Sequence, residues 1–141
     1  MKFTISPELE ATVKDLVAKN PRNKKTILTQ LEKVSEDFER IENLGTSRRV
    51  FFSKKLGVVV KRPYLTGRKL TKRQAKYLIP TLTFTNSKGR CPWFVQPLCT
   101  ATEKAGDRAY RFFSARESLS FGDLHEGNVG YYRGKPVIFD Y

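Results

Sequence analysis

The chain has 141 residues, enough for one domain with its own core, and its 39% hydrophobic and 12% aromatic content suits a folded protein rather than a disordered basic tail. No apolar run approaches the roughly 20 residues that cross a bilayer. The opening stretch MKFTISPELE has neither an apolar segment nor a small-residue cleavage site, so membrane and secreted classes are disfavoured and the cytoplasm is the expected location.

The net charge of +13 is concentrated in one segment. Residues 46–90 carry thirteen basic side chains and no acidic one, whereas 1–45 carry eight of each and 91–141 six of each. Interleaved with Phe51, Phe52, Tyr64, Tyr77 and Phe84, this block suits an anionic partner such as nucleic acid or nucleotide phosphates. Its plain alternative is a solvated face that aids solubility.

In chain order, Ser6-Pro7 opens a helix with a capping hydroxyl and a proline at the first helical position. Leu9, Val13, Leu16 and Val17 carry its apolar stripe, and Asn20-Pro21 stops it. A second helix is predicted over 24–43 from the stripe Ile27, Leu28, Leu31, Val34, Phe38 and Ile41, with Gly45 beyond its end. The period then changes. Strands are predicted at 49–53 and 57–62 around a Lys-rich turn with Gly57, followed by a short helix capped by Thr71. TLTFT and WFVQPL form another strand pair around NSKG, and a helix occupies 103–117. The loop SFGDLHEGN leads to strands at 129–132 and 136–140 around Arg133-Gly134. Cys91 and Cys99 flank an extended run that, at roughly 3.3 Å per residue, holds them too far apart for a disulfide. Both read as buried thiols. The expected class is α+β, with a helical pair at 1–45 and a core at 46–141.

The terminal hairpin gathers oxygen ligands. A three-residue turn at 133–135 sets Asn128 opposite Asp140, while a two-residue turn at 133–134 sets Gly127 there. In either register Asp140 lies beside the asparagine, and Asp123 approaches from a glycine-flanked loop. Two carboxylates and an amide oxygen are hard ligands suited to magnesium carrying phosphates. Taken singly, Asp123 and Asn128 are ordinary turn residues and Asp140 a solvated terminus.

GDLHEGN followed by VIFDY resembles the catalytic loop and metal strand of the protein-kinase-like phosphotransferases, particularly the aminoglycoside and choline kinase branch. The resemblance spans about residues 44–141. It implies a small antiparallel N-lobe sheet behind an N-terminal helix pair, and a much reduced C-lobe ending in the catalytic-loop hairpin. It implies ATP and Mg2+ as cofactors. Asp123 is then the base or orienting carboxylate for an acceptor hydroxyl, and Asn128 and Asp140 are the magnesium ligands. GVVVK resembles the lysine strand, with Lys61 on the α- and β-phosphates. LGTSRRVFF, with Gly45 and Ser47, stands where a glycine-rich loop lies, and Gln96 belongs to the strand entering the adenine hinge. His125 is implied to be structural.

The sequence departs from the family in several places. The later loop glycines are missing, Phe121 replaces a histidine, and Tyr141 follows Asp140. No glutamate follows Lys61 before Glu103; Gln74 is the nearest polar substitute, and Glu36 or Glu39 is a further expected partner. The chain also ends at the metal aspartate. That fits a minimal member of the kind encoded by phages, a fragment, or a pseudokinase scaffold kept for binding nucleic acid, another polyanion or a host protein.

Overall fold

In a computed structural model the described residues are 3–41, 49–62, 71–90, 92–116, 119 and 129–139. Among the described residues the fold is α+β, with four helices, a five-stranded antiparallel sheet and a two-stranded hairpin. The chain divides into two compact units, one of Met1–Leu65 with Pro80–Leu98 and one of Thr66–Ile79 with Cys99–Tyr141.

In the first unit, α1 (Pro7–Lys19) starts at Ser6, whose hydroxyl accepts the Leu9 N–H, and ends at Asn20 in the left-handed region with φ 45°. The second helix, α2, covers only Lys24–Glu32, capped by Asn23. The predicted continuation to residue 43 does not form. Instead the chain turns through 33–38 and enters β1 (Glu39–Arg40), an edge strand that helical spacing had concealed. Val34 and Phe38 still face the core, so the apolar stripe is satisfied without a helix.

The reason for the turn is Asp37. Its carboxylate accepts the hydroxyls of Ser35 and Ser53, each at 2.5 Å, and the Lys55 N–H at 2.8 Å. Ser35 and Asp37 are poor residues for a helix interior and good ones for such local bonds. Ser53 closes strand β2 (Arg49–Ser53), and its hydroxyl also accepts the Leu56 N–H. A side chain just beyond α2 therefore fixes the turn into β3 (Val58–Arg62), where Gly57 supplies φ +66°.

Strands β4 (Leu82–Phe84) and β5 (Trp93–Pro97) complete the sheet in the order β1-β2-β3-β5-β4. The register pairs Phe51 with Val60 and Val60 with Val95. One sheet face thus presents Phe51, Val58, Val60, Trp93 and Val95 to Leu9, Val13, Leu16, Ile27 and Leu31 of the two helices. Each such side chain contributes about 1.5–3 kcal/mol on burial, which is why α1 and α2 hold despite their shortness.

In the second unit α3 (Lys72–Ala75) carries a full capping box between Thr71 and Gln74. α4 (Glu103–Ser114), three residues shorter than predicted, packs Ala109 and Phe113 on Val129 and Ile138. Tyr77 meets Phe113 edge-on, with ring centroids 5.4 Å apart. Cys99 is half-buried rather than buried, and Cys91 lies outside the described residues.

The Asp37 clamp gives a pH prediction. Its three donors hold the carboxyl at about 2 instead of 3.8. As pH falls the unfolded chain takes up this proton first, so the stabilisation is complete above about pH 4 and is lost between 4 and 2. Asp37→Asn should lower the melting temperature at pH 7 and flatten its fall across that window, as read by circular dichroism.

Candidate functional site

Directly opposed residues of an antiparallel pair share a face, and the register assigns the second face of the large sheet from this rule. Val50, Lys61, Phe94 and Thr83 form one row across β2, β3, β5 and β4. Phe52, Val59 and Gln96 form the next. Both rows lie opposite the helix-covered core. The residue period of two that buries Val58 and Val60 therefore sends Lys61 the other way.

Lys61 is 7% exposed and Gln96 2% exposed. They occupy adjacent strands in diagonal positions, roughly 7–8 Å apart by sheet geometry. Around them the face is apolar, formed by Val50, Phe52, Val59 and Phe94. Lysine and glutamine are seldom this buried, and burying an ammonium is costly without compensating polar contact. Gln96 donates from Nε2 to the Thr81 hydroxyl at 3.1 Å, which orients its carboxamide. One ammonium and one amide on an apolar sheet face can hold an anionic group next to a flat or apolar one.

The structure thus brings Lys61 and Gln96 together. Gly45, Ser47, Asp123, His125, Asn128 and Asp140 lie outside the described residues. Glu36 and Glu39 are exposed, and β1, which carries Glu39, is separated from β3 by β2. Gln74 is buried and occupied locally: Oε1 accepts the Thr71 N–H at 2.9 Å, and Nε2 donates to the Leu119 carbonyl at 3.4 Å.

The terminal hairpin is built in the second unit from β6 (Val129–Tyr132) and β7 (Lys135–Ile138). Tyr132 pairs with Lys135, so the turn is the two-residue form, with Arg133 at φ 52° and Gly134 at φ 76°. Strand β7 is one residue earlier at its start than predicted and ends at Ile138. Both hairpin edges are tied down. Thr100 exchanges two backbone bonds with Tyr131 on β6, at 2.8 and 2.9 Å. On β7, Ile138 donates to the Tyr77 carbonyl and accepts from the Ile79 N–H. The strand is therefore anchored two residues before Asp140 in the chain. Sequence reasoning missed both ties, because the partners are 31 and about 60 residues away.

No family model matches the chain, and neither a curated protein nor a solved structure matches it. Among the described residues, no helix is long and apolar enough to cross a membrane.

The edge contact at Thr100 leaves no room for a side chain at position 130. A Cβ there would stand 2.5 Å from the Thr100 carbonyl oxygen, a backbone atom that cannot move without breaking the pair. Gly130→Ala should cost about 1–3 kcal/mol by overpacking, seen as a lower denaturant midpoint. Gln74→Ala should cost about 1–2 kcal/mol through loss of the cap and the Leu119 bond.

Proposed function

We propose that the chain carries a protein-kinase-like phosphotransferase that binds ATP with magnesium and passes the terminal phosphoryl group to a hydroxyl. The observation that carries this reading is Lys61, a buried lysine on the third strand of a five-stranded antiparallel sheet, facing away from the core beside Gln96. That is the strand on which the kinase family keeps its phosphate-binding lysine. The order of elements is consistent with it: a short helix after the lysine strand, two further strands, a longer helix and a hairpin.

In this reading Lys61 holds the α- and β-phosphates, and Gln96 with Gly45 and Ser47 lies along the nucleotide. Asp123 orients the acceptor hydroxyl and takes its proton, while Asn128 and Asp140 hold magnesium. The bound metal would offset charge on the phosphates. Catalysis of phosphoryl transfer is chiefly positioning and electrostatics.

A second reading keeps the scaffold for binding alone. The acid-free segment presents Lys54, Lys55, Lys72, Arg73, Lys76, Lys88 and Arg90 as exposed cations, which suits nucleic acid or another polyanion.

A thermal-shift titration separates the two. With magnesium, 1 mM ATP should stabilise the protein by about 1.4 kcal/mol if the dissociation constant is near 0.1 mM. The shift should vanish with EDTA, in Asp140→Asn and in Lys61→Met. No shift at millimolar ATP overturns the phosphotransferase reading. Nucleic-acid binding that falls steeply with salt and survives Asp140→Asn would establish the second reading in its place.

A further inference from the structure

The two edges of the large sheet are unlike. On one side β1 is two residues long and charged, a usual way of discouraging edge-to-edge pairing. On the other, β4 reads Leu82-Thr83-Phe84 between Thr81 and Thr85, with no charge and a regular register to β5. Among the described residues, Leu82, Thr83 and Phe84 make no backbone bonds beyond those to β5. An uncharged edge of β-branched, aromatic and aliphatic residues is a template for another strand.

A groove walled by α1 runs beside this edge. Its Leu82 end, about 360 Å³, is lined by Phe3, Ile5 and Glu10. Its Phe84 end, about 680 Å³, is lined by Lys14, Val17 and Ala18. Thr83 and Phe84 border both parts.

We infer that this edge pairs with a second copy of the chain, β4 against β4 in antiparallel register about a two-fold axis at Thr83. A two-fold axis sets each end of the groove against the opposite end in the other copy. Glu10 comes to the partner's Lys14, and Lys14 to the partner's Glu10. Phe3 and Ile5 come to the partner's Val17 and Ala18, and Leu82 lies beside the partner's Phe84. Charge complementarity thus resides in one helix face, where Glu10 and Lys14 already pair within the chain at 3.3 Å. The net charge of +13 does not oppose the contact locally. Residues 81–85 carry no charge, and Glu10 offsets Lys14 beside them. So narrow a contact implies weak association, with a dissociation constant on the order of tens of micromolar.

Sedimentation equilibrium of the full chain over roughly 5–500 µM tests this. The expected result is a monomer–dimer equilibrium. Thr83→Lys sets two ammonium groups side by side at the axis and should weaken it by at least about tenfold. Thr83 is exposed, so the melting temperature of the monomer, read at about 1 µM, should be unchanged. Glu10→Lys should weaken the dimer, and Glu10→Lys combined with Lys14→Glu should restore it. A monomer at every concentration, or a dimer indifferent to Thr83→Lys and to the charge swap, overturns the proposal.

Discussion

The two-residue period of β3 is the constraint on which the rest depends. Val58 and Val60 must turn toward α1 and α2, because these helices are too short to persist without an apolar sheet beneath them. Once they do, Lys61 is committed to the other side, and the register carries Gln96 there with it. The central position of β3, flanked by β2 and β5, removes any freedom to slip, since a one-residue shift would expose the valines and drive the ammonium into the helix-packed core. The chemistry of the lysine face is a by-product of the packing of the opposite face.

Rigidity is then added by a few polar bonds at long sequence separation. Asp37 reaches across to Ser53 and Lys55 and locks the turn that feeds β3. In the second unit, Thr100 and residues 77–79 hold the hairpin from its two edges, with Gly130 allowing the close approach. These are the places where a carboxylate or a missing methyl group does what bulk burial cannot. They fix where a strand starts and stops rather than whether it forms.

Local signals made most of this architecture legible. Ser6-Pro7 and Asn20-Pro21 bracket α1, Thr71 caps α3, and the change from helical to alternating spacing after residue 48 marks the sheet. The end of α2 was not legible. Val34, Phe38 and Ile41 continue a helical stripe, and bonds from Asp37 to Ser53 and Lys55, sixteen and eighteen residues along the chain, help turn the backbone there. The pair Ser35 and Asp37 was the available warning. The hairpin register was also open, because Arg133-Gly134-Lys135 accommodates either turn, and positive φ at both Arg133 and Gly134 selects the shorter one. Of the expected site, Lys61 and Gln96 were placed correctly on strands from the pattern GVVVK and WFVQPL. Their sharing of a face follows from inter-strand register, which no single segment encodes.

The claim that most needs testing is that Lys61 meets nucleotide phosphates. An ATP derivative bearing an acyl group on its terminal phosphate transfers that group to whichever lysine amine lies beside the phosphates, and peptide mass spectrometry reports the site. The account predicts acylation concentrated at Lys61 and suppressed by excess ATP with magnesium. Acylation spread over exposed lysines such as Lys54, Lys55 and Lys72, unchanged by ATP, would contradict it.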